Sequence, residues 1–172
     1  MTAATVAPPA RADRTIVAAG VLLGLGLGGF VDGIVLHQIL QWHHMLTDYG
    51  DYATFPATDV PALEDNTLWD GLFHAATWVF VVAGLYLFRR GTARGGRATV
   101  GGLTALMLFG WGLFNLVEGL VNHHLLGIHH VRDDVAEPLP WDLGFLALGA
   151  ALLVTGWALY RAERARSTLP GA

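Results

Sequence analysis

Four long runs without charged residues constrain this chain more than any other feature. Each run is rich in Leu, Val, Ala, Gly and aromatic residues and lacks Asp, Glu, Lys and Arg; the runs cover positions 15–31, 71–88, 98–117 and 143–160. The hydrocarbon core of a bilayer, about 30 Å thick, is crossed by about 20 apolar residues of helix. In lipid, a single run of this kind satisfies its own backbone hydrogen bonds only as a helix. The sequence therefore predicts an all-α integral membrane four-helix bundle.

The predicted organisation is a single transmembrane domain at residues 15–161, between a disordered N-terminus (1–14) and a C-terminal tail (162–172). The four helices are predicted at about residues 15–45, 68–88, 98–126 and 141–161. A secretory signal peptide is the alternative for the first run, since Arg11 and Arg14 precede it. We favour a helix that stays in the protein, because the run lacks a small-x-small cleavage site and the motif after it recurs later in the chain.

Composition excludes several classes of site. The 172 residues contain no cysteine, which rules out disulfides, thiolate metal sites and cysteine nucleophiles. Only 14% of the residues are charged, compared with about 25% in soluble domains. A net charge of −4, without a basic stripe, argues against nucleic acid as a partner.

The arginines predict the orientation in the membrane. All but Arg132 lie before the first run, between the second and third, or after the fourth: Arg11, Arg14, Arg89, Arg90, Arg94, Arg97, Arg161, Arg164 and Arg166. The opposite loops are acidic, with Asp48, Asp51, Asp59, Glu64, Asp65, Asp133, Asp134 and Glu137. Positive loops stay in the cytoplasm. We therefore expect a multi-pass protein of the bacterial inner membrane, with both termini cytoplasmic. Trp42, Trp69 and Trp141 are expected at the outer interface, and Tyr86 and Tyr160 at the inner one.

An internal repeat links the two halves of the chain. Residues 30–45 (FVDGIVLHQILQWHHM) align without a gap with residues 116–131 (LVEGLVNHHLLGIHHV). The aligned acids and histidines are Asp32 with Glu118, His37 with His123, His43 with His129, and His44 with His130. A weaker match pairs Trp69-Asp70 with Trp141-Asp142. The chain is thus interpreted as a duplicated helical hairpin, with a pseudo-two-fold axis along the membrane normal.

The histidines are predicted to form two layers at the outer end of the bundle. A rise of about 1.5 Å per residue places His37, His74 and His123 at one depth, with Asp32 and Glu118 beneath them. The outer layer contains His43, His44, His129 and His130, with Asp70 and Asp142 nearby.

Helical phase limits how these side chains meet. At about 100° per residue, Asp32 and His43 share one face of a continuous helix, and His37 and His44 share another. A helix that continued to residue 44 would not bring all of them to one ion. A helix break near the membrane surface would relax this restriction.

Transition-metal binding is the interpretation we favour. Ionisable groups in membrane spans are costly and mark functional sites by default, and imidazole suits zinc, copper and iron, with carboxylates as further ligands or as orienting groups. Two alternatives stay open. The outer histidine pairs are also typical of solvated helix ends, and Asp32 with Glu118 is also consistent with two carboxylates that share one proton.

The segments VDGIVLHQILQWHHML, NTLWDGLFHAATW and LFNLVEGLVNHHLLGIHHVRDD resemble those of a family of bacterial four-span membrane proteins, a domain of unknown function. The resemblance extends over about residues 15–161. It implies the same four-span topology and supplies no activity. It also suggests a respiratory setting, with cytochrome oxidase components as partners and copper or haem as cofactors.

Four functions remain open from the sequence. The first is a non-haem metalloprotein or metalloenzyme that holds zinc, copper or iron at the extracytoplasmic side. The second is a haem b electron carrier with His37 and His123 as axial ligands. The third is a metal or proton conduit, or a metallochaperone for an oxidase. A purely structural membrane protein is the fourth. Metal identity, substrate, any enzymatic activity and oligomeric state are left open.

Overall fold

A computed structural model describes residues 10–49 and 60–167. Several predictions fall outside these residues: most of the disordered N-terminus, the end of the C-terminal tail, and the acidic residues Asp51 and Asp59.

The described chain forms four long helices, two of which continue as π-helices. Their bounds are α1 (Ala10–Val31) with π1 (Asp32–Ile39), α2 (Val60–Ala93), α3 (Val100–Glu118) with π2 (Gly119–Leu126), and α4 (Leu139–Ser167). The described residues include no strand. All four helices are long and apolar enough to cross a membrane. The prediction of an all-α membrane four-helix bundle is confirmed.

α1 and α3 form the inner pair, with α2 packed on α1 and α4 packed on α3. The inner helices cross at Gly24 and Gly110. A Cβ atom on Gly24 would meet the carbonyl oxygen of Met107, and one on Gly110 would meet that of Val21. Both positions therefore accept only glycine, which allows the close backbone contact typical of membrane helix pairs.

The contacts of α1 with α2 resemble those of α3 with α4. Gly26 lies against the backbone of α2 at Thr77, and Gly112 lies against the backbone of α4 at Gly149. Gly26 and Gly112 occupy aligned positions of the sequence repeat. The two helical hairpins thus use glycine at the same place to bring their helices together.

The bundle is apolar outside and polar inside at one end. Large apolar side chains are exposed along α2 and α4, among them Trp78, Val79, Val154 and Trp157. The largest fully buried side chains are mostly polar, with histidines the most prominent. This distribution suits a protein surrounded by lipid, in which buried polar groups mark the functional end.

The first helix ends at Ile39, where the sequence predicted an end near residue 45. The N–H of Leu40 donates to the carbonyl of Val35, and Gln41 follows with a φ of 51°. In the second half, Gly127 has a φ of 57° and its N–H donates to Asn122. A left-handed residue ends a helix, because the chain leaves the helix axis there. The chain therefore leaves the helix axis at both places.

The loops after these turns hold each other in place. The N–H of Asp48 donates to the carbonyl of Ile128 (2.9 Å), and the N–H of Asp133 donates to that of Trp42 (3.0 Å). The guanidinium of Arg132 lies 4.9 Å from the Trp42 ring and 4.7 Å from the Trp141 ring. The two halves therefore close one end of the bundle together.

Candidate metal centre

His37 lies on π1 and His123 on π2, the segments that continue the two inner helices. Both are buried, with 0% and 3% of their surface exposed. His37 Nδ1 lies 2.8 Å from Asp70 Oδ1, and its Nε2 lies 3.3 Å from Asp32 Oδ2. His123 Nδ1 lies 3.4 Å from Asp142, and its Nε2 lies 3.1 Å from Glu118 Oε1. Each histidine thus stands between an outer and an inner carboxylate.

His43 and His129 reach the same place from the turns that follow the helices. Both are fully buried. His43 Nδ1 lies 3.0 Å from the carbonyl oxygen of Val131, and His129 Nδ1 lies 3.1 Å from that of Met45. Each ring is therefore held by the backbone of the opposite half of the chain. His129 Nε2 also lies 2.9 Å from Glu118 Oε1.

The four imidazoles form one cluster. The rings of His43 and His129 stack with their centroids 4.6 Å apart. His37 meets His43 edge-on at 4.3 Å, and His123 meets His129 in the same way at 5.0 Å.

Several atoms at the centre of the cluster lack hydrogen-bond partners. Within the described residues, no aligned partner exists for Nε2 of His37, His43 and His123, or for Asp32 Oδ2 and Glu118 Oε2. A buried polar atom without a partner costs about 1–3 kcal/mol. Two sets of three donors have ligand atoms within 4.8 Å of one another: His37 with His43 and His129, and Glu118 with His123 and His129.

Asp70 and Asp142 are orienting carboxylates at the edge of the cluster. Asp70 accepts hydrogen bonds from the side chain of Gln38 (3.1 Å) and the N–H of Met45 (2.9 Å), and it also pairs with His37 and His44. Asp142 accepts from the N–H of Val131 and pairs with His130 at 2.6 Å. Their oxygens are occupied by these contacts.

His44 and His130 keep a partly exposed position beside these carboxylates, with side chains 15% and 33% exposed. Each Nδ1 contacts a carboxylate, Asp70 or Asp142. They belong to neither set of converging donors. Their place is the outer edge of the cluster.

His74 does not join His37 and His123. Its Nδ1 lies 2.7 Å from the carbonyl oxygen of Asp70, one turn earlier on α2, and its ring lies against Gly33. The predicted inner layer of three histidines is therefore not assembled. His43 and His129, predicted in the outer layer, take the central place instead, because the left-handed turns at Gln41 and Gly127 direct them inward.

The two inner carboxylates lie with histidines of their own half. Asp32 is nearest His37, and Glu118 is nearest His123 and His129. The sequence singled out both residues. It gave no sign of the backbone carbonyls of Met45 and Val131, since any residue type offers a carbonyl.

The pKa values of the two stacked histidines shift in opposite directions. Burial lowers the pKa of His43 well below its ordinary value, and the neighbouring His129 and His37 lower it further. Burial also lowers the pKa of His129, but the hydrogen bond to Glu118 and the negative charges of Glu118 and Asp32 together outweigh it, so that this pKa is raised overall. Burial thus favours the neutral form of His43, which is the form in which imidazole binds a metal.

The arrangement is suited to holding a cation. Histidines that bind metals usually donate Nδ1–H to a carboxylate or backbone carbonyl, which fixes the ring and leaves Nε2 for the metal. His37, His43 and His129 have such a partner at Nδ1. Imidazole nitrogen and carboxylate oxygen together suit zinc, iron and copper.

A family model described as "Predicted membrane protein (DUF2243)" matches residues 19–163, most of the chain. No curated protein matches the sequence. No solved structure matches it either.

Proposed function

The chain belongs to the DUF2243 family of predicted membrane proteins, and we propose that it binds a transition-metal ion through its histidine and carboxylate cluster. The observation that carries this proposal is the divided role of the imidazoles. Nδ1 of His37, His43 and His129 meets an outer acceptor, and the Nε2 atoms of the four histidines lie with Asp32 and Glu118 at the buried centre. A metal ion would compensate the buried atoms that lack partners.

We propose one ion per chain. The two sets of converging donors share His129, and the single lone pair of Nε2 binds one ion. One set contributes three imidazoles, and the other contributes two imidazoles and a carboxylate. Three protein donors leave a further position for water or substrate, as in catalytic zinc and non-haem iron sites.

The cluster lies at the extracytoplasmic end in this proposal. His37, Asp70, His123 and Asp142 lie at the end of the bundle away from Arg89, Arg90 and the other arginines of the predicted cytoplasmic side. The positive-inside rule then places the cluster outside. Extracytoplasmic metal binding also agrees with the suggested respiratory setting.

Haem b has less support as the cofactor. A haem bound by His37 and His123 needs a flat space between these rings for the macrocycle. The stacked rings of His43 and His129 lie there, within 6.2 Å of both axial candidates. A bound ion requires no such space.

The test is metal analysis of the detergent-purified protein by plasma mass spectrometry, with an absorption spectrum of the same sample. We expect about one zinc, copper or iron per chain and no Soret band. A Soret band would replace the proposal with haem. Protein that binds no metal, even after incubation with each ion, would contradict it.

A further inference from the structure

An apolar cavity of about 380 Å³ lies beside the metal centre, between the first helix and α4, with α3 behind it. Its walls are apolar and include four aromatic side chains, Trp42, Trp111, Trp141 and Phe145. Leu148, half exposed on α4, lies at its rim. Because α4 faces the predicted lipid, the cavity is accessible to molecules dissolved in the bilayer.

Two buried polar side chains line this apolar cavity, Asp32 and Asn115. They are 4% and 2% exposed. Asp32 Oδ2 lies 3.3 Å from His37 Nε2, on the side of the metal centre. Asn115 Oδ1 is an acceptor without a hydrogen-bond partner among the residues that the structure describes. A molecule that donates a hydrogen bond to it would remove the cost of leaving it unpaired.

The two halves of the chain differ at this place. The repeat aligns Gly28 with Phe114 and Asn115 with Gly29, and the match between α2 and α4 aligns Leu72 with Gly144. Gly28, Asn115 and Gly144 all line the cavity. On the side of the cavity, glycines therefore stand at the positions that Phe114 and Leu72 occupy on the opposite side. The amide of Asn115 stands where the opposite side has Gly29.

We propose that this cavity binds a hydroxylated aromatic molecule from the bilayer. The ring packs among the tryptophans, which favour offset or edge-to-face contact with a second ring. The hydroxyl group donates to Asn115, which places it next to Asp32. The bound molecule would be the substrate of the proposed metal centre, and this role rests on the proposed function. Binding in the cavity does not rest on it, because binding does not require the ion.

Photolabelling of the full-length protein tests the proposal. The probe is a phenol with an alkyl diazirine, and the competitors are 4-hexylphenol and 4-hexylanisole, which lacks the donated proton. The cavity is filled by Gly144→Leu, and the matched control is Gly71→Leu on α2. Within the described residues, a Cβ atom at either glycine meets no atom within 4 Å. Each variant receives the residue found at the aligned position, Leu72 or Leu143.

We expect saturable labelling near Trp111 and Trp141, displaced by 4-hexylphenol at least tenfold better than by 4-hexylanisole. Gly144→Leu should reduce the labelling at least tenfold, and Gly71→Leu should leave it unchanged. Asn115→Leu should remove the preference for the phenol. Equal displacement by both competitors would indicate that the cavity binds an acyl chain, and would overturn the proposal. Unchanged labelling in Gly144→Leu would overturn it as well.

The same labelling is measured on metal-loaded protein and on protein stripped with a chelator. Saturable, phenol-specific labelling of both preparations supports binding in the cavity, even if the protein proves to bind no metal. Normal metal content without such labelling overturns this inference and leaves the proposed function intact.

Discussion

Three of the central imidazoles, those of His37, His43 and His129, have a partner at Nδ1. In His43 and His129, the backbone of the opposite half holds Nδ1. The ring orientation is therefore fixed before any ion arrives, which lowers the cost of ordering the ligands on binding. The metal affinity of the cluster should thus depend on both the central histidines and the groups that orient them.

His129→Ala should abolish metal binding, because His129 is the member common to both sets of donors. His124→Ala is the matched control: this histidine lies next to His123 but is exposed. The measurement is metal content per chain after equilibrium dialysis, with circular dichroism to check folding. Full metal content in His129→Ala would contradict the proposed ligand set.

Asp70→Asn should weaken metal binding about 10–100-fold without abolishing it, as is typical when a group that orients a ligand is replaced. Asp70 pairs with His37 and His44 and is not among the converging donors. Competition with a chelator of known affinity measures the change. An unchanged affinity would mean that His37 is held without this carboxylate.

The buried carboxyl group of Asp133 should make the folded protein less stable as the pH rises. Burial raises its pKa from 3.8 to about 6, and nearby Asp48 adds to the effect. Because the folded state holds the proton more tightly, this group contributes stability below pH 4 that is lost as the pH rises to about 6. Asp133→Asn should therefore raise the unfolding temperature relative to the parent at pH 7, with less gain at pH 4.

Asp134→Asn is the control for this prediction, since Asp134 is exposed and pairs with Arg132 at 2.7 Å. Unfolding is followed by circular dichroism in detergent at both pH values. A gain for Asp133→Asn that is equal at pH 4 and pH 7 would show that the buried charge is not its cause.

At the scale of elements, the ends of the first and third helices decide where the histidines lie. Gln41 adopts a left-handed conformation, which costs a residue with a side chain about 1–2 kcal/mol. Gly127 occupies the aligned position without this cost. The strain at Gln41 is maintained by the contacts of the loop that follows.

Gln41→Gly should raise the unfolding temperature by a few degrees and keep the metal content, because glycine adopts this conformation freely. Gly127→Val should lower both, since a β-branched residue disfavours the turn that brings His129 inward. Thermal unfolding and metal analysis of the same preparations test the pair. Loss of metal in Gln41→Gly would show that the glutamine side chain itself is required.

For the whole molecule, the expected topology is both termini in the cytoplasm and the cluster outside. The chain contains no cysteine, so a single introduced cysteine reports the side of the membrane on which it lies. Ala93→Cys, at the end of α2, should react with an impermeant maleimide only after the cells are opened. Asp134→Cys, in the loop beside the cluster, should react in intact cells. The reverse pattern would show that the bundle has the opposite orientation in the membrane.

The interpretation of the chain as a duplicated hairpin stays a prediction at this scale. It is supported by matched features at aligned positions: the paired close contacts of Gly24 and Gly110, the left-handed Gln41 and Gly127, and the exchanged carbonyls of Met45 and Val131.

The sequence by itself determined the fold class, because four uncharged runs of bilayer length have one way to satisfy their backbone in lipid. It also singled out the histidines and carboxylates as candidate functional residues, since ionisable groups are costly in apolar spans. Helix phase and depth then predicted their grouping, and this step assumed continuous helices.

Only the tertiary structure decided which histidines meet. Two left-handed residues end the helices early and bring His43 and His129 to the centre, whereas His74 pairs with the backbone of its own helix. Neither outcome is visible in sequence spacing, because a turn of this kind is stabilised by contacts with the opposite half of the chain. The cavity at Asn115 has the same origin: it is a space between helices, defined by how they pack.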